Sequence, residues 1–317
     1  MGLLVLVGLA FFGVDIVGGL KLMLDAQPEY LIPAFSVFCA ALLARMVVWI
    51  ILARVLNLGY RRLRSYVRLF LIGWSAGLGL PQGASTMGRA AVLAADKRSV
   101  GRGVVVDAAD RLLQAASYAV LLLASAAYLS TESTKTLRTA GISAAIIVGA
   151  IPLMLAAAWL LRPLLRRIRS YRWIHTFVED VITTLKEVRH TRPSVLAGIL
   201  ALAMVPSLLI VTSLFLTSRS LDIGLSYPVL MAAFAVVGMT TLLPISINGL
   251  GPREGILVAA VAGSGFNSEA GVALGLLWFL MQAVTRLAAS ASWLMSSHEE
   301  EDRTVTVTSE RAETGSR

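Results

Sequence analysis

The residues able to do chemistry in this chain are charged side chains set inside apolar sequence. Arg45 lies near the middle of the apolar run 31–53, and Arg286 lies deep in the run 272–296. Asp107, Asp110 and Arg111 stand at i, i+3 and i+4, the spacing that shares one helix face. Arg89, Arg253 and Glu254 open shorter apolar segments. A charge inside hydrocarbon costs about 3 kcal/mol unless it is paired or wet, so each marks a pathway, a ligand or an internal ion pair. The ion-pair reading joins Asp110 to Arg286, or Glu254 to Arg45, and only holds helices together. The functional reading makes Arg89 and Arg253 phosphate ligands and lets Asp110, Arg111, Arg286 and Arg45 gate or relay charge.

Other chemistries find little support. Cys39 is the single cysteine, and His175, His190 and His298 all fall in polar loop or tail sequence, so no metal site and no cofactor are expected. Asp107 and Asp110 could serve as acid and base in principle, but no activated nucleophile accompanies them, and the chain is not expected to be an enzyme. The phosphate-binding pattern G-x-x-x-x-G-K-[ST] does not occur. Any transport would be passive or ion-coupled.

These residues need elements to position them, and the composition dictates which. Of 317 residues, 57% are hydrophobic and 15% charged, with a mean hydropathy of +0.77, which excludes a water-soluble fold. The expectation is an all-α polytopic membrane protein. Apolar runs at 2–20, 31–53, 104–129, 139–161, 194–217 and 272–296 are long enough for six full spans. Two regions are interrupted: 66–80 and 84–95 by Pro81 and Gly83, and 228–243 and 252–264 by Pro244, Asn248, Gly249 and Gly251. Proline removes a helix donor and glycine loosens the backbone, so each reads as a re-entrant pair of half-helices, or as two short spans giving eight in all.

The start of the last half-helix has a specific chemistry. In Asn248 to Glu254, Asn248 or Gly251 can cap, Pro252 suits the first helical position and Glu254 the first turn. Free N–H groups and the positive dipole end attract anions there. A phosphate would meet those donors, including the backbone around Gly249, together with Arg253 and Arg89. Gly271 and Gly275 form a GxxxG expected to serve helix packing.

The charge of +9 suits anionic lipid better than nucleic acid, because the basic residues cluster in alternate loops. Arg54, Arg61, Arg62, Arg64 and Arg68 fill one, Lys97, Arg98 and Arg102 another, and 162–192 a third. These loops are placed in the cytoplasm with both termini, in a plasma (inner) membrane. Apolar positions from Ile174 to Leu185 recur every three or four residues, which reads as an interfacial helix within the basic segment 162–192. The domain is expected to span 1–298, followed by a disordered acidic tail, 299–317.

Leu80-Pro81 through Gly88-Arg89 parallels Leu243-Pro244 through Gly251 and Arg253, and Asp110-Arg111 parallels Thr285-Arg286. Two matches in one order suggest a duplication with halves near 31–129 and 194–296. The charge argument makes the halves inverted, the architecture of many transporters.

At these residues the chain resembles the flippase-like family that contains the transmembrane domain of lysylphosphatidylglycerol synthases and the UPF0104 membrane proteins. The stretch Leu243 to Glu254 follows its P-x-S-x-x-G-L-G-x-R-E pattern; Pro81, Gly88-Arg89 and Asp110-Arg111 match more loosely. Family members carry an acid three positions before the arginine equivalent to Arg89, where this chain has Thr86, so no carboxylate role carries over there. The resemblance implies lipid translocation. The expectation is a flippase or transporter for an anionic phospholipid or polyprenyl-phosphate-linked headgroup. The alternatives are a membrane-embedded transferase on a lipid-linked substrate, and a non-transporting subunit that joins a lipid-modifying enzyme.

Overall fold

The structure is a computed structural model that describes residues 16–60, 62–77, 84–96, 100–129, 193–242 and 252–314. Most of the first expected span, the span 139–161, the basic segment 162–192 and both Leu-Pro turns lie outside these residues. Asn248, Gly249 and Gly251 therefore lie outside them too. The regular elements among the described residues are all helices: α1 (Ile16–Leu24), α2 (Pro28–Val55), α3 (Leu63–Ser75), α4 (Ala84–Ala95), α5 (Val100–Leu129), α6 (Pro193–Ser220), α7 (Tyr227–Leu242), α8 (Pro252–Gly263) and α9 (Ser268–Thr314).

Four of these helices are long and apolar enough to cross a membrane: Pro28–Val55, Val100–Leu129, Ala197–Ser220 and Ser268–Ala291. They correspond to four of the six expected spans. At about 1.5 Å per residue, α2 reaches roughly 42 Å against a hydrocarbon thickness of about 30 Å. By the same rise α3, α4 and α8, with 13, 12 and 12 residues, fall short at roughly 18 to 20 Å. The interrupted regions are thus pairs of short helices, and α3 packs on α4 as α7 packs on α8. Leu43, Leu112, Leu123 and Leu287 point outward more than half exposed, as befits helices whose solvent is hydrocarbon.

The last helix runs on past its apolar span, to Thr314. Extending a helix already under way requires no new nucleus, so the polar sequence follows the span it is joined to.

Helix ends follow local rules. Pro28 sits in the first turn of α2, where its missing N–H costs nothing. Helices α2, α6 and α8 each stop with an N–H reaching five residues back: Leu58 to Ala53, Ile223 to Ser218 and Phe266 to Val261. Before each donor stands a residue of positive φ, Asn57 at 50°, Asp222 at 56° and Gly265 at 86°, as this type of cap requires.

Two apolar cores form. One joins Trp49 and Leu52 of α2 and its capping residue Leu56 with Tyr66, Leu69 and Phe70 of α3, Leu93 of α4 and Val106 of α5. The other joins Ala34 and Phe38 of α2 and Tyr118 and Leu121 of α5 to α6, α7, α8 and α9, with Phe234 against both Tyr118 and Trp278. Helices α2 and α5 run through both cores, and Arg45, Asp107, Asp110 and Gln114 lie where they pass from one to the other. The long helix of each expected half carries a short helix of the other: α7 packs on α5, and α3 on α9. Helices α2 and α6 pair antiparallel, with Gln27 N–H donating to Ser220 at 2.8 Å and Ser213 Oγ to the Ala34 carbonyl at 2.8 Å.

Candidate functional site

Between the cores lies a cavity of about 230 Å³ lined by α2, α3, α4, α5, α6, α7, α8 and α9. Arg45, Arg89, Asp110, Arg111, Arg253 and Arg286, scattered over 242 positions of sequence from Arg45 to Arg286 inclusive, all line it. Asp107 joins them. Glu254 does not reach the wall. It is fully buried behind Arg253 and accepts from that residue's Nε at 2.9 Å and Nη2 at 2.6 Å.

The ion pairs differ from those the sequence suggested. Asp110 pairs with Arg45, at 2.6 Å, rather than with Arg286, and Glu254 pairs with Arg253 rather than Arg45. Arg89 pairs with Asp107. The physical reason lies in the packing: α2 and α5 touch directly, which brings Arg45 to Asp110, while Glu254 is neighbour to Arg253 on the same helix. Asp107 Oδ1 also accepts from Trp49 Nε1 at 3.0 Å, and Asp110 Oδ2 from Gln114 Nε2 at 3.2 Å.

Arg286 is placed differently. Its Nη1 donates to the Gly77 carbonyl at 2.6 Å, at the C-terminal end of α3, where the helix dipole favours a cation. Among the described residues no carboxylate pairs with it. Counting Arg45, Arg89, Arg111, Arg253 and Arg286 against Asp107, Asp110 and Glu254 leaves a formal excess of two positive charges around the cavity, among the described residues (5 − 3).

The arginines are also stacked on aromatic rings, a signal the sequence reading missed. Arg89 lies 4.7 Å from the ring centre of Trp49 and 5.8 Å from that of Phe70. Arg286 is 4.8 Å from Trp74, and Arg253 is 5.6 Å from Trp278 and 5.3 Å from Phe279. Such contacts hold a guanidinium flat and partly replace its lost water. Glycines make the room. A Cβ at Gly73 would collide with the Arg89 guanidinium, and one at Gly77 would come within 3.2 Å of Arg286 Cζ. Gly73-Trp74-Ser75-Ala76-Gly77 is thus a second small-residue stripe, legible in hindsight as two glycines one turn apart beside a tryptophan.

The predicted packing role of Gly271 and Gly275 is met. A Cβ at Gly271 would stand 2.5 Å from Val258 Cα, and one at Gly275 3.2 Å from Glu254 Cγ, so both face α8. Their bareness lets α8 lie close on α9 and sets the depth of the Arg253–Glu254 pair.

No group of three or more His, Cys, Asp or Glu able to hold a metal occurs among the described residues. The arrangement suits electrostatic binding: a band of arginines, partly neutralised, inside a bundle that crosses a membrane. A multi-pass helical membrane protein with a buried, cationic cavity is the class that fold and site define. The chain belongs to the family of the lysylphosphatidylglycerol synthase TM region, whose model matches residues 1–290. No curated protein and no solved structure matches it.

Proposed function

We propose that this protein moves an anionic lipid, a phospholipid or a polyprenyl-phosphate-linked headgroup, across the bilayer, passively or coupled to an ion. The observation that carries the reading is Arg286: a buried guanidinium on a cavity wall, held by a backbone carbonyl, beside Arg253 and with no carboxylate partner among the described residues. A buried cation is costly without a counter-ion, and a lipid phosphate supplies one. Arg89 and Arg253 flank it as further phosphate ligands. Arg45 and Arg111, with Asp110, relay or gate charge at the depth where the two cores meet.

The proposed movement uses an inverted duplication, α2 to α5 against α6 to α9. Three observations support it. Short helices are exchanged between halves, corresponding helices α2 and α6 run antiparallel, and both end in the same cap around Asn57 and Asp222. The basic loops and both termini would lie in the cytoplasm of a plasma membrane, with the cavity near the midplane. The protein acts as a translocator and not as an enzyme, with anionic lipids as its partners and a lipid-modifying enzyme as supplier or consumer.

The test is transbilayer movement of fluorescent phosphatidylglycerol and phosphatidylcholine in proteoliposomes. Arg286→Gln should lower phosphatidylglycerol movement about tenfold or more, the effect of removing a charge-assisted ligand. Arg253→Ala should do likewise. Unchanged movement in a folded Arg286→Gln protein would sink the reading.

A further inference from the structure

We propose that a groove on the back of α5, away from the central cavity, seats one resident anionic phospholipid, with an acyl chain in the groove and the phosphate on Arg102. This lipid is a fixed neighbour of the bundle and not its cargo, so the proposal stands apart from the translocation reading.

The groove measures about 370 Å³, more than the central cavity, and falls within the range of about 300–1,000 Å³ that holds small molecules. Among the described residues its walls are apolar throughout, and include Leu56 at the end of α2, Ala109, Leu113 and Ala116 on α5, and Ala197 and Leu200 on α6. The three alanines contribute a methyl each, which leaves the space open. Ala109 stands two residues after Asp107, and Ala116 two after Gln114, which on a helix of about 3.6 residues per turn is roughly 200° around the axis. One face of α5 thus serves the charged cavity and its back serves the groove. Leu112, also on the groove, is 70% exposed, so the groove opens to the hydrocarbon around the bundle.

One end of the groove is cationic. Arg102 stands seven residues before Ala109 and fourteen before Ala116, on the same stripe of α5. Its Nη1 donates at 2.9 Å to the carbonyl of Asn57, the residue after Leu56, which fixes the guanidinium where the groove ends. A guanidinium has five N–H donors and can serve a carbonyl and a phosphate together. Helices α5 and α6 both begin at this end, since Arg102 meets the end of α2 and α6 runs antiparallel to α2. The positive ends of their dipoles add to the attraction for an anion. The nearest acids of α5, Asp107 and Asp110, are turned to the cavity.

The lengths agree with a phospholipid. At about 1.5 Å per residue, Arg102 lies roughly 10 Å from the level of Ala109 and roughly 21 Å from that of Ala116. The hydrocarbon of one leaflet is about 15 Å deep, half of a core about 30 Å thick. A lipid with its phosphate at Arg102 therefore runs its chain along the groove. An apolar helix would fill the space but offers Arg102 no anion, and a zwitterionic lipid brings an ammonium to an end that is already cationic. An anionic phospholipid matches both ends.

The test is native mass spectrometry of the purified full chain, titrated with dioleoyl phosphatidylglycerol or dioleoyl phosphatidylcholine. Phosphatidylglycerol should form a one-lipid adduct roughly tenfold or more tighter than phosphatidylcholine, the effect of a charge-assisted contact. That preference should persist in Arg286→Gln, where the central cavity has lost a cation, and in Arg102→Lys, which keeps the charge. It should fall towards one in Arg102→Gln. Both lipids should bind roughly tenfold more weakly in Ala116→Leu, whose side chain occupies the space an acyl chain would bury in. If Ala116→Leu fails to fold, Ala109→Leu carries the same test. Equal binding of the two lipids by the native chain, a preference that survives in Arg102→Gln, or undiminished binding in the filled variants would each overturn the proposal. A preference lost in Arg286→Gln and kept in Arg102→Gln would move the lipid to the central cavity, overturning the groove site while leaving the translocation reading standing. No adduct with the native chain, together with a lowered melting temperature in the filled variants, would assign the groove to another part of the chain or a second copy, and would overturn the resident lipid.

Discussion

The two short helices that carry a cavity arginine, α4 with Arg89 at its middle and α8 with Arg253 in its first turn, treat the same residue in different ways. Arg89 reaches across to Asp107 on α5, so its ion pair ties two helices together. Arg253 pairs with the next residue on its own helix, Glu254, and is joined to α9 by stacking on Trp278 and Phe279 and by the close approach that Gly271 and Gly275 allow. In the first region the ion pair joins two helices; in the second the pair lies within one helix, and stacking and close packing join that helix to its neighbour. The lesson is that two arginines on short helices can share a place on the cavity while differing in what would dislodge them.

The comparison can be broken by stability measurements in detergent. Glu254→Ala should be the most damaging change, about 3–5 kcal/mol, because it strands Arg253 at 2% exposure with no counter-ion. Retention of the native melting temperature in that variant would show that the second region does not depend on its pair. Gly271→Ala comes next at about 1–3 kcal/mol, since its Cβ would press on the α8 backbone, which cannot swing aside as a side chain can. A neutral outcome would refute packing by shape. Asp110→Asn should cost about 1 kcal/mol, because the amide oxygen still accepts from Arg45 and that pair is the more exposed, at 18% and 10%. A loss as great as that of Glu254→Ala would erase the contrast between the regions. Arg286→Gln should change stability least, by under about 1 kcal/mol, since an amide N–H can still serve the Gly77 carbonyl. A large drop in its melting temperature would recast Arg286 as a structural strut.

The helices were legible because their boundaries are written locally. The runs 84–95 and 252–264 appear as Ala84–Ala95 and Pro252–Gly263, each starting just after the prolines and glycines that interrupt the apolar sequence. The convergence of charges was legible for a similar reason: a charge inside an apolar run has few places to go but a shared polar interior, and Arg45, Arg89, Asp110, Arg111, Arg253 and Arg286 line one cavity, while Glu254 lies behind Arg253. Partner choice was not legible. Whether Asp110 meets Arg45 or Arg286 depends on which faces α2, α5 and α9 present to one another, and hydrophobic periodicity is weak in helices that are apolar on every side. The tryptophans were overlooked for the same reason. Inside an apolar run Trp49 and Trp278 read as packing residues, and only the fold brings a guanidinium onto them.

That stacking has an optical consequence. Trp49, Trp74 and Trp278 each lie under a cavity arginine, and indole emission responds to the position of a nearby cation. The site therefore carries its own fluorophores. An anion that draws Arg286 or Arg253 off its ring would alter the emission of unlabelled protein, so occupancy can be followed without attaching a dye.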